Sequence, residues 1–325
     1  MLSRVARNVY WMSRYLERAE NTARLVNVNG NLLLDLPQKT SFGWESLLAI
    51  SGLEVLFYER YKIPNEQNVV KFLLSDHKNH SSILSSLETA RENLRTTRDI
   101  IPREAWENVN DIHWFVKTET AKGISKRTRY EFLKYIILGI QQITGFLSGS
   151  MSHNMAYKFL SLGRYLERAD MTTRILDVRS ANLLPKMDKP DEPMLFPFEN
   201  IQWVGVLKSL TAYQMYRQQT QMVRVKGASV LKFLLQDHEF PRTVCFCLDQ
   251  IELYLKGLPG NDPPLRKLAR LQRQIQTADV HALAHEGLHE FIDDLQIGMG
   301  ELHGYIDTIY LGNEAEMKQT QTQTA

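Results

Sequence analysis

Six residues near the start of the chain, Arg14-Tyr15-Leu16-Glu17-Arg18-Ala19, recur letter for letter as Arg164-Tyr165-Leu166-Glu167-Arg168-Ala169. Each copy sits inside the same periodic pattern. Around the first, Val5, Val9, Met12, Leu16, Ala19, Ala23, Val26, Gly30 and Leu33 advance by alternating steps of four and three. That spacing keeps one stripe of a helix facing its neighbours over about eight turns. Around the second, Met155, Phe159, Leu162, Leu166, Ala169, Thr173, Leu176, Ser180 and Leu183 do the same. Positions 14–28 and 164–178 share 9 of 15 residues.

Two more landmarks occur in the same order in each half. Trp44 is answered by Trp203, and Lys71-Phe72-Leu73-Leu74-Ser75-Asp76-His77 by Lys232-Phe233-Leu234-Leu235-Gln236-Asp237-His238. A fixed order of repeated landmarks is the mark of an internal duplication. The expected units are a first helical repeat over 1–148, a second over 149–312 packed on the first, and a flexible tail over 313–325. No stretch alternates with the two-residue period of a strand. The fold class read from the pattern is all-α, a duplicated multi-helix bundle with long antiparallel helices.

Breakers place the remaining helices. Pro37 ends the first near residue 35, and Ser41 is placed to cap a second running through Trp44, Leu48, Val55 and Tyr58. Pro102 starts a helix that Gly123 closes, and another spans about 126–148. A proline-rich connection runs from Pro185 to Pro197. Pro241 and the Asp262-Pro263-Pro264 run open two more helices, and a last one is expected over about 279–311.

With 325 residues the chain exceeds the size of one ordinary core, which suits two packed units. Its net charge of +2 is spread along the chain, unlike the concentrated basic face of a nucleic-acid binder. No run of about 18 uninterrupted apolar residues exists to span a membrane. The N-terminal arginines Arg4, Arg7 and Arg14 resemble a targeting presequence, but the same helix recurs mid-chain, so a cytoplasmic location is expected. Cys245 and Cys247 form a lone Cys-x-Cys, and on a helix their side chains diverge; they read as small apolar residues.

Beside each stripe lies a polar face whose arginines and glutamates are retained as such in both copies. The candidate residues are Arg14, Glu17, Arg18 and Arg24 in the first half, and Arg164, Glu167, Arg168 and Arg174 in the second. A solvated face requires only generic polarity. An arginine fork kept opposite a carboxylate points instead to fixed bidentate partners. Three readings compete: a partly buried ion-pair network locking helices together, a polar cleft between the halves for an anionic or zwitterionic ligand, and a metal site. Adjacent arginines oppose the last. The di-iron carboxylate bundle needs Glu-x-x-His on two helices, and only Glu286 to His289 supplies it.

Asp76-His77 and Asp237-His238 close their helices, where His suits the dipole and Asp caps the next segment. They are secondary candidates for a general base. His281, His285 and His289 form a ladder at helical spacing that lacks the glutamate zinc peptidases use as base. No phosphate loop or nucleophile elbow is present, and no metal or cofactor is expected.

Three stretches, Tyr10 to Arg24 with its Glu17-Arg18, Ala90 to Trp106, and Ser161 to Arg174, carry a resemblance to the alpha-E family over essentially the whole chain. The resemblance implies an all-helical domain of unknown function with a recurrent Glu-Arg pair. It further implies a setting beside, or fused to, ATP-grasp-like ligases of the circularly permuted type and transglutaminase-fold peptidases. An accessory role in peptide synthesis or modification is therefore expected, with such proteins as partners. The alternatives are an enzyme or binding protein that takes a carboxylate-bearing peptide between the halves, and a purely structural oligomerising bundle.

Overall fold

A continuous apolar stripe, with no proline before Pro37, winds the first stretch into one unbroken helix, α1 (Ser3–Asp35). The computed structural model describes residues 2–35, 43–181, 183, 196–221 and 224–312. Ser41, most of the Pro185–Pro197 connection and the tail from 313 lie outside them. After α1 come α2 (Glu45–Ser51), α3 (Glu54–Tyr58), α4 (Glu66–Ser75), α5 (Ile83–Arg95), α6 (Arg103–Ile124) and α7 (Arg129–Ser150). The second half holds α8 (Met155–Ser180), α9 (Phe196–Ser209), α10 (Tyr213–Thr220), α11 (Gly227–Gln236), α12 (Val244–Lys256), α13 (Asp262–Gln276), α14 (Val280–Leu283) and α15 (Leu288–Ile306). No strand occurs among the described residues; the chain is an all-α multi-helix bundle.

Several starts are set by side-chain caps. Asn65 accepts from the Asn68 amide, Ser82 from Ser85 and Thr243 from Phe246. Each satisfies an amide that the first helical turn leaves without an intrahelical partner.

Two expected helices are broken, both at glycine. The segment from Trp44 to Tyr58 divides at Gly52, which turns at φ 65°. The segment from 279 to 311 divides at Gly287, at φ 79°. Positive φ costs a residue with a Cβ about 1–2 kcal/mol, so Gly287→Ala is expected to lower unfolding free energy by about 1 kcal/mol in a denaturant titration. The break also separates the histidines: His281 lies on α14, His285 in the turn, and His289 on α15. They form no ladder.

One hydrophobic core runs through both halves, and α1 and α8 lie at its centre. Against α1 pack α5, α7 and α9; against α8 pack α2, α12 and α15. The two central helices rise together. Tyr10 and Ser13 flank Gly163, Arg14 and Arg18 meet Glu167, and Asn29 meets Arg179. They therefore run parallel, in register, which corrects the antiparallel expectation for this pair. Six intervening helices carry the chain back to its starting end, so nothing forces the reversal that a short loop would impose.

Candidate functional site

Parallel packing in register brings the two Arg-Tyr-Leu-Glu-Arg-Ala stretches side by side, and each glutamate is held by the other helix. Glu167 accepts from Arg14 Nε at 2.7 Å and from Arg18 Nε and Nη2 at 2.6 and 3.1 Å. Glu17 accepts from Arg168 Nε and Nη2, both at 2.8 Å, a bidentate fork. Glu17 and Glu167 are 3% and 2% exposed, so the pairs lie in the core rather than in an open cleft. Each outer arginine also lies over a tyrosine one turn earlier, Arg18 over Tyr15 at 5.5 Å and Arg168 over Tyr165 at 5.6 Å.

The two copies do not hold their glutamates in the same way. Arg164 stands where Arg14 stands in the first copy, yet it forms no ion pair among the described residues. It is buried beside a small cavity lined by Ser13, Glu17 and Thr144. Arg242, from the loop between α11 and α12, takes the place on Glu17 instead. Its Nη1 donates to Glu17 at 2.9 Å and to Asn21 at 2.8 Å, and its Nη2 donates to Glu20 at 2.7 Å. In the first half the corresponding loop offers Ser81, which accepts from Arg18 at 3.3 Å. Arg24 and Arg174 pair within their own helices, with Glu20 at 2.7 Å and Asp170 at 2.8 Å.

Arg242 escaped the sequence reading. Its partner is 225 positions away, and its counterpart is a serine, so neither periodicity nor repetition marks it.

Burial alone would push these carboxyls upward. For Glu17 the Arg168 and Arg242 guanidiniums overcome burial and hold the group down at about 2, so it is ionised. Glu167 is likewise lowered, against burial, by Arg14 and Arg18. Neither is placed to take up a proton near neutral pH, as a general base must.

Asp76 and Asp237 lie apart from this network and shape the loops entering α5 and α12. Asp76 accepts from the Lys78 amide at 2.9 Å, and Asp237 from the Glu239 and Phe240 amides at 3.0 and 2.7 Å. His77 and His238 are exposed, the latter paired with Asp249 at 2.6 Å. Cys245 and Cys247 are buried, and burial pushes both thiols to about 12. Among the described residues no three His, Cys, Asp or Glu side chains are grouped to hold a metal ion, and no helix is long and apolar enough to cross a membrane.

A helical bundle centred on two Glu-Arg pairs defines the class. The chain belongs to the Alpha-E family, described as a predicted alpha-helical domain with a conserved ER motif, which matches residues 1–311. Among curated proteins it is similar to an uncharacterized protein of Mycobacterium bovis, at 22% identity, with 91% of this chain and 35% of the relative covered. Two uncharacterized proteins of Mycobacterium tuberculosis match over the same shares at 22% and 21% identity. The chain thus spans about a third of the length of these relatives. No solved structure matches it.

Proposed function

We propose that the chain is an internally duplicated helical scaffold, repeats 1–148 and 149–312, acting in the cytoplasm as the non-catalytic accessory component of a peptide-synthesis or peptide-modification system. The observation that carries the reading is the use of both motif glutamates in buried, reciprocal ion pairs. Groups so engaged order the central helices and are not offered to a substrate.

Duplication draws support from backbone detail. Gly52 and Thr211 both turn at positive φ, 65° and 55°. At the first, the amides of Gly52 and Leu53 bond to Ala49 and Leu48 at 3.0 Å each. At the second, those of Thr211 and Ala212 bond to Lys208 and Leu207 at 3.1 and 2.7 Å. The accessory role draws support from the relatives' length, since their matching region is part of a much longer polypeptide.

The partners in this reading are an ATP-grasp-like ligase and a transglutaminase-fold peptidase. Purified chain is expected to co-elute with such a ligase on size exclusion, and Glu17→Gln to co-elute as well at temperatures where it stays folded. The enzyme reading takes over if the isolated chain turns over a peptide and Glu17→Gln abolishes that turnover while the melting temperature stays put.

A further inference from the structure

The two halves differ most usefully over the face of α11. In the first half, Arg60 and Tyr61 fold back onto the C-terminal end of α4. Asp76 Oδ2 accepts from Arg60 Nε at 3.0 Å and from the Tyr61 hydroxyl at 2.9 Å. The Tyr61 ring stacks on Phe57 with centroids 5.0 Å apart and meets Phe72 edge-on at 6.0 Å.

Counting from Trp44 and Trp203, Arg60 corresponds to Gln219 and Tyr61 to Thr220. The framework around them is kept. Phe57 and Phe72 lie edge to face at 5.2 Å, and their counterparts Tyr216 and Phe233 do so at 5.6 Å. Gln219 Nε2 reaches Asp237 Oδ2 at 2.7 Å, as Arg60 reaches Asp76. Two things are lost: the charge of Arg60, which Gln219 does not carry, and the phenol of Tyr61. Thr220 turns its hydroxyl to the Tyr216 carbonyl instead, at 2.8 Å.

In the second half lies a trough of about 480 Å³, lined by Gln219, Thr220, Phe233 and Asp237 and by the exposed Lys232 and Glu239. That size is ordinary for a small-ligand site. Asp237 Oδ2 has one side-chain donor where Asp76 Oδ2 has two. No ion pair reaches Asp237, Lys232 or Glu239 among the described residues. An aromatic wall, a carboxylate oxygen short of one donor, and exposed lining side chains of opposite charge form a coherent set of ligand contacts.

We propose that this trough binds a phenolic side chain presented by a tyrosine-bearing peptide. The ring lies against Phe233 and the hydroxyl donates to Asp237 Oδ2, in the manner of Tyr61 on Asp76. Lys232 and Glu239 meet the charged groups of the peptide backbone ends. The phenol comes from the geometry; the peptide as its bearer rests on the function proposed above.

The test titrates the full chain with p-cresol, glycyl-tyrosine and glycyl-phenylalanine, read by amide chemical shifts and by thermal shift. Saturable binding of p-cresol and of the tyrosine dipeptide is expected. The phenylalanine dipeptide should bind roughly tenfold more weakly, the effect of one hydrogen bond. Thr220→Tyr restores the first-half arrangement and should abolish binding, whereas Thr220→Ala should retain it. Absence of saturable p-cresol binding to the wild type, or binding undiminished in Thr220→Tyr, overturns the site. If p-cresol binds as expected but the tyrosine dipeptide binds no tighter than p-cresol, the peptide ligand is overturned. Failure of the ligase to co-elute while the dipeptide binds strikes only the partner reading.

Discussion

Glu17→Gln is expected to lower the melting temperature by about 5–10 °C, the larger of two effects that probe the central helices. The substitution keeps the shape and removes the charge. Arg168, which grips both carboxylate oxygens, and Arg242, which holds one, are then left buried beside a neutral amide. Breaking a buried pair by removing one partner costs about 3–5 kcal/mol, because the remaining charge keeps its desolvation cost and loses its compensation. The lowering of Glu17 from 4.5 to about 2 implies a figure of the same order, about 3 kcal/mol.

The same lowering gives a signed pH dependence. The unfolded chain binds a proton at this position near 4.5 and the folded chain only near 2, so in that window the unfolded state holds more protons. Stability contributed by Glu17 is therefore fully present above about 4.5 and is lost as pH falls toward 2. Denaturant titrations across that range should show a shallower acid decline in Glu17→Gln than in the wild type. Equal slopes would remove the claim that Glu17 is ionised and paired in the folded state. Glu167→Gln should act in the same direction, since its carboxyl is lowered by Arg14 and Arg18.

The architecture was legible wherever a pattern repeats. The stripes of α1 and α8, the tryptophans and the Asp-His helix ends all recur in order. Helix breaks were legible only in part. Gly287 sits in a run whose apolar spacing passes straight through it, and a lone glycine within such a run is tolerated in a helix. Only the backbone turn at φ 79° distinguishes a break from a tolerated residue. Thr211 is less legible still, because nothing local marks a threonine for positive φ.

The site divides in the same manner. That Glu17 and Glu167 need fixed arginine partners follows from their retention beside arginine in both copies. Which arginines hold them does not follow, because it depends on two helices running parallel and on a loop 225 positions away. Helical spacing by itself pairs an arginine with a carboxylate three or four positions away on the same helix. It describes Arg24 with Glu20 and Arg174 with Asp170, and fails for the two motif glutamates.

Gly163 permits that cross-helix grip, and its substitution gives the second large effect. A Cβ built there falls on the Tyr10 carbonyl oxygen and lies 2.5 Å from Ser13 Oγ, where real side chains do not approach. The first obstacle is helix backbone, which cannot rotate away as the end of a long side chain can. Gly163→Ala must therefore push α8 off α1, one turn before Glu167 meets Arg14 at 2.7 Å. The expected loss is about 3 kcal/mol, the upper end for overpacking, and it exceeds the gain of about 1 kcal/mol that alanine brings to a helix interior. Gly145 on α7 supplies the control. A Cβ there meets nothing within 4 Å, so Gly145→Ala should raise stability by up to about 1 kcal/mol. Opposite signs for two identical substitutions would locate the effect in the distance between the central helices. A stabilising Gly163→Ala would mean that α1 and α8 can part without loss, and that the Glu-Arg pairs do not hold them together.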